Sequence, residues 1–131
     1  MINSQAVTAF SETGSETLIR VGVIGTGAMG QNHVRIYSEM EGVELAGISD
    51  VDQTRVEAMA AQFKTKAFTD YKKMFAEGLD AVSIVVPTKL HKQVVLDALE
   101  AGLHVLVEKP IADTVENADL MIEAEIGRAH V

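Results

Sequence analysis

From Leu18 onward, short β-branched apolar runs alternate with stretches of helical periodicity. LIRVGVIG, VELAGISD, DAVSIVVP and HVLVEKP read as strands, and AMGQNHVRIYSEM, DQTRVEAMAAQF, KLHKQVVLDALEAG and TVENADLMIEA as the helices that follow them. A weaker strand, KAF, and a short helix, DYKKMFAEG, complete a continuous β-α-β-α order. The run VSIVV is apolar without alternation, as expected of a strand covered by helices on both faces of a parallel sheet. Right-handed crossovers between parallel strands then give a doubly wound Rossmann α/β sheet of order 3-2-1-4-5. Gly42, Gly78 and Gly102 stand just past three helical segments, where a C-terminal cap requires positive φ.

The flanks break this pattern. Residues 1–17 mix small polar residues without period and are expected to form a disordered leader, leaving residues 18–125 as the α/β domain. The final IGRAHV, residues 126–131, brings a glycine into mid-helix where a sixth strand should still follow. The expectation is a non-native tail from adapter read-through, with the sixth strand and any later domain missing.

Composition narrows the partners more than the fold. Eleven basic against nineteen acidic residues give a net charge of −8 with no Lys/Arg cluster, which argues against nucleic acid or an anionic membrane. Without cysteine there is neither a disulfide frame nor a thiolate metal site, and no metal is called for. The opening residues lack the basic and apolar regions of a signal peptide, so the expected location is the cytoplasm.

The chemistry begins at VGVIGTGAMGQNH, residues 21–33, where a strand runs into Gly25, Gly27 and Gly30 and a helix leaves at once. Gly25 permits the tight turn, Gly27 lets the backbone approach a pyrophosphate, and Gly30 lets the helix pack on the sheet. Thr26, Ala28 and Met29 complete this cofactor-binding turn, whose helix N-terminus offers N–H groups and partial positive charge. Asp50 ends the next strand twenty residues after Gly30, where a carboxylate accepts the adenosine-ribose hydroxyls and repels a 2′-phosphate. The predicted cofactor is therefore NAD, with NADP disfavoured. Asp52 and Arg55 read as solvent-facing helix charges, contact of Arg55 with the adenine being the lesser alternative, and His33 reads as a packing histidine.

Two further strand ends carry unusual residues: Val86, Pro87 and Thr88 after the fourth, and Glu108, Lys109 and Pro110 after the fifth. In an open α/β sheet, ligands bind along this C-terminal edge. The set VGVIGTGAMGQNH, ISD, VVPTKLH and VLVEKPIA, in this order and spacing, resembles the N-terminal half of the Gfo/Idh/MocA oxidoreductases over residues 18–125. The resemblance implies a dehydrogenase that exchanges hydride between a nicotinamide cofactor and a ring carbinol of a sugar, inositol or nucleotide-sugar, as a homo-oligomer when intact. It implies that Lys109 is catalytic and lies beside the nicotinamide, with cofactor-binding Glu108 orienting the lysine or the cofactor. Pro87 and Thr88 would line the nicotinamide ribose pocket, and His91 would either meet the cofactor or serve as a capping or packing residue. The family's general base, a histidine in an Asp-x-x-x-His pattern, belongs to a C-terminal α+β domain absent from this sequence, so the fragment is expected to bind cofactor without turnover. An NAD-sensing regulatory module would share the glycines and Asp50, but has no use for Lys109. A methyltransferase would typically show GxGxG, whereas here Met occupies position 29.

Overall fold

The computed structural model describes residues 18–107 and 115–129. Five strands, β1 (Ile19–Ile24), β2 (Val43–Ser49), β3 (Ala67–Phe68), β4 (Ala81–Ile84) and β5 (His104–Val107), form one sheet of order β3-β2-β1-β4-β5. All four pairings are parallel, so the predicted doubly wound order is present. The helices are α1 (Ala28–Glu39), α2 (Gln53–Phe63), α3 (Tyr71–Phe75), α4 (His91–Glu100) and α5 (Val115–Ala129).

Two cores divide the helices between the sheet faces. Val21, Val23 and Ile48 meet Val34 and Tyr37 of α1 and Val56, Met59 and Ala60 of α2. On the other face Ile24, Val82 and Ile84 meet Met74 of α3, Val94, Val95, Ala98 and Leu99 of α4, and Met121 of α5. A bulge at Ala46, which the β1–β2 register skips, brings Gly22 opposite Gly47. A Cβ on either glycine would come within about 3 Å of the Met74 side chain, so α3 lies close against the sheet only because both are glycine.

Gly42, Gly78 and Gly102 all take φ of +82°, as their cap positions require. Two boundaries differ from the sequence pattern. The segment after β4 first forms a 3₁₀ turn, Thr88–Leu90, and becomes α-helical only at His91, because Pro87 supplies no N–H and fixes an extended entry (φ −53°, ψ 142°). Helix α5 continues through Ala129, past the break predicted at residue 126. A single glycine costs a helix interior only about 1 kcal/mol, too little to stop a helix already under way.

One buried polar contact ties α1 to the sheet behind the glycine turn: the Tyr37 and Ser83 hydroxyls lie 2.7 Å apart, both buried. Tyr37→Phe is expected to cost about 1–2 kcal/mol, because it leaves the Ser83 oxygen without its partner. Adding Ser83→Ala should recover part of the loss, and a double-mutant cycle in urea checks it. Strictly additive losses would mean the two hydroxyls are not coupled.

Candidate functional site

The C-terminal ends of β1, β2 and β4 converge on the glycine turn. The Gly25 N–H donates to the Ser49 carbonyl at 2.8 Å, and the chain reverses there with φ of +99°. A Cβ on Gly25 would lie 2.2 Å from the Val85 oxygen, and one on Gly30 would lie 1.9 Å from the Gly25 oxygen. Gly27 differs, since nothing stands within 4 Å of its Cβ position. The turn is thus pinned against β4 and α1 through Gly25 and Gly30, and open at Gly27. Gly27 caps α1 with no side-chain acceptor, so the first N–H groups of the helix, at Ala28, Met29 and Gly30, keep their hydrogen-bonding capacity.

Asp50 holds this turn in place. Its Oδ2 accepts the Thr26 N–H (2.8 Å), the Thr26 hydroxyl (2.7 Å) and an Arg55 guanidinium N–H (2.8 Å), while Oδ1 accepts the Asp52 N–H (2.9 Å). Thr26 is fully buried and Asp50 nearly so. Burial alone would raise the carboxyl's pKa, but the Asp52 N–H, the Thr26 hydroxyl, Arg55 and the Thr26 N–H together outweigh it and hold the group at about 2. The same partnership raises the Arg55 pKa. Asp50 is therefore ionised and already engaged, rather than a free acceptor at a strand end.

Asp52 and Arg55, read as solvent-facing helix charges, are both exposed, and each also has a partner at the turn. Asp52 is the N-cap of α2, its Oδ1 accepting the Arg55 N–H at 3.0 Å. Arg55 turns back over the end of β2 to pair with Asp50, and its Nε reaches the Thr26 hydroxyl at 3.3 Å. The signal was present as Asp50-x-Asp52-x-x-Arg55: a capping Asp two residues after a strand-end Asp starts the helix there and returns its first turn to that strand end.

At the end of β4, Pro87 is exposed and Thr88 half-buried. His91 is buried and its Nε2 donates to the Val86 carbonyl at 2.8 Å, bracing the Pro87–Thr88 turn from beneath. This contact gives His91 a packing role at the turn. Met29, Val51 and Leu90 are large apolar residues exposed after β1, β2 and β4, a rim not apparent from the sequence as a group. Glu108, Lys109 and Pro110 lie outside the described residues, directly after β5. Among the described residues, no cluster of three His, Asp or Glu could hold a metal, and no helix is long and apolar enough to cross a membrane.

Sheet order and the clasped glycine turn define a Rossmann-type α/β domain. The family model for the Gfo/Idh/MocA oxidoreductases, NAD-binding Rossmann fold, matches residues 19–130, and the chain belongs to that family. It is 40% identical over 104 residues to the UDP-N-acetylglucosamine 3-dehydrogenase of Acidithiobacillus ferrooxidans, covering 79% of this chain and 32% of that protein. A solved structure of that dehydrogenase, GnnA, has a TM-score of 0.81 at 38% identity, covering 86% of this chain and 36% of the other. The inositol 2-dehydrogenase of Corynebacterium glutamicum is 39% identical over 110 residues, with 82% and 33% covered. The WlbA dehydrogenase of Bordetella pertussis, solved with NADH and UDP-GlcNAcA, has a TM-score of 0.80 at 29% identity, with 86% and 35% covered. The chain spans about a third of the length of these relatives.

Proposed function

We propose that this chain is the NAD-binding part of a dehydrogenase that transfers hydride between the nicotinamide and a ring carbinol of an inositol, sugar or nucleotide-sugar. The observation that carries the reading is the glycine turn, held by Asp50, with a helix N-terminus that no side chain caps and open space at Gly27. That arrangement fits a dinucleotide: the N–H groups of α1 meet a pyrophosphate, and Gly27 lets it approach the backbone. Asp50 Oδ1 accepts one bond in the structure, leaving capacity for a ribose hydroxyl, while Oδ2 already accepts three. Exposed Val51 offers an apolar face for the adenine, and Pro87 and Thr88 wall the nicotinamide ribose.

The bound cofactor supplies the hydride acceptor or donor. Lys109, at the end of the fifth strand, donates to the reacting oxygen and stabilises alkoxide character, and Glu108 orients it. The general base and the substrate walls are assigned to the remaining length of the parent protein. The names of its relatives, a UDP-N-acetylglucosamine 3-dehydrogenase and an inositol 2-dehydrogenase, support this substrate class. The acidic composition argues against a nucleic-acid or anionic-membrane partner, and the family resemblance carries the expectation of a cytoplasmic homo-oligomer.

Calorimetry of the 131-residue chain with NAD and with NADP tests the reading. Binding of NAD, tighter than NADP, is expected, with no NADH formed from inositols, hexoses or UDP-sugars. A general base is worth about 10²–10⁴-fold and positioning about 7–11 kcal/mol, and neither is assigned to this chain. Failure to bind either cofactor would remove the reading, and turnover abolished by Lys109→Ala would place the whole apparatus within these residues.

A further inference from the structure

We propose that Arg55 is a cofactor-specificity residue: paired with Asp50, it supplies donors to an adenosine 2′-phosphate and keeps the site open to NADP as well as NAD. The inference rests on the dinucleotide reading above and limits the discrimination expected of Asp50 alone. An isolated strand-end carboxylate repels a 2′-phosphate as one negative charge does another. Here the carboxylate is not isolated, because the Arg55 guanidinium lies 2.8 Å from Oδ2 and compensates its charge.

Exposure decides which member of the pair a ligand meets. The Asp50 side chain is 6% exposed and that of Arg55 46%, so a group arriving from solvent encounters the cation first. Of the five N–H donors of a guanidinium, two are used, one on Asp50 and one on Thr26, and three have no acceptor among the described residues. A planar fork with spare donors suits a phosphate, to which it can make two parallel bonds. There is also room: Arg55 borders a groove of about 370 Å³ between α1 and α2, which it shares with Gln31, Asn32 and Arg35. Arg35 and the three amides of Gln31, Asn32 and Gln62 around this space add no negative charge to oppose a phosphate. The adenosine ribose needs only Asp50 Oδ1, so NAD binding does not depend on the free donors of Arg55.

The test is the ratio of dissociation constants for NADP and NAD in the 131-residue chain, measured by calorimetry for wild type, Arg55→Gln and Arg55→Lys. Arg55→Gln should weaken NADP about tenfold or more, as for loss of a charge-assisted bond, and NAD by less than about threefold. Arg55→Lys, which keeps the charge but loses the fork, should fall between. Wild-type NADP affinity should also decline more steeply with salt than that of Arg55→Gln. If both cofactors weaken in parallel, or the ratio is unchanged, Arg55 only braces the turn and the proposal fails while the cofactor reading stands. If wild type binds neither cofactor, the cofactor reading fails and takes the proposal with it.

Discussion

Gly30→Ala and Gly25→Ala are each expected to destabilise the domain by about 3–5 kcal/mol, the largest effects among single substitutions at the glycine turn. At Gly30 the added Cβ would lie 1.9 Å from the Gly25 oxygen, a backbone atom that moves only if the turn or α1 moves. At Gly25 two costs combine: a φ of +99°, which alanine adopts only under strain, and a Cβ 2.2 Å from the Val85 carbonyl oxygen. Gly27→Ala is the control. Its Cβ meets nothing within 4 Å, so stability should change by less than about 1 kcal/mol while NAD affinity drops, because the methyl group occupies the path of the pyrophosphate. Urea midpoints and calorimetry on the three variants separate the effects. A Gly30→Ala protein as stable as wild type, or a Gly27→Ala protein with full NAD affinity, would contradict the roles assigned to these positions.

The contrast among the three glycines also marks how far the sequence can be read. Strand order, helix sequence and the three caps at Gly42, Gly78 and Gly102 follow from periodicity and φ preference, which are local properties or rules of chain connection. Asp50 stands out as a candidate by its distance from Gly30, but its engagement does not follow from that distance. Whether a carboxylate is free or already accepting four bonds depends on how two turns meet: Arg55 and Asp52 lie within five residues of Asp50, but Thr26 comes from the turn after β1, 24 residues earlier. The bulge at Ala46 was hidden for the same reason, since register is set by what packs on the sheet, and Met74 lies 27 positions beyond Gly47 in sequence. His91 shows the limit from the other side. A histidine three residues after Thr88 is equally suited by its spacing to a ligand or to a loop carbonyl, and the 2.8 Å contact with the Val86 carbonyl is a detail of the fold that spacing does not carry.

Asp50→Ala is expected to cost about 3–5 kcal/mol at neutral pH, and Asp50→Asn somewhat less. Removing the carboxylate leaves the Thr26 N–H and hydroxyl, both in a fully buried residue, and the Asp52 N–H without their acceptor. Asparagine keeps the shape and one acceptor oxygen, but its amide faces a donor where the second oxygen was. The pH dependence identifies the ionised form as the source of stability. The carboxyl's pKa is lowered from 3.8 to about 2 in the folded chain, so the unfolded chain takes up the proton first as pH falls. Its contribution, on the order of 2 kcal/mol, is complete above the unfolded value of 3.8 and is lost as pH falls through about 2. Urea unfolding of wild type and Asp50→Asn at several pH values between about 7 and 2 should give a gap that is constant at the upper end and narrows below about pH 4. Two parallel curves across that range would show that the Asp50 charge does not hold the glycine turn, and that the Thr26 contacts are maintained by the fold around them.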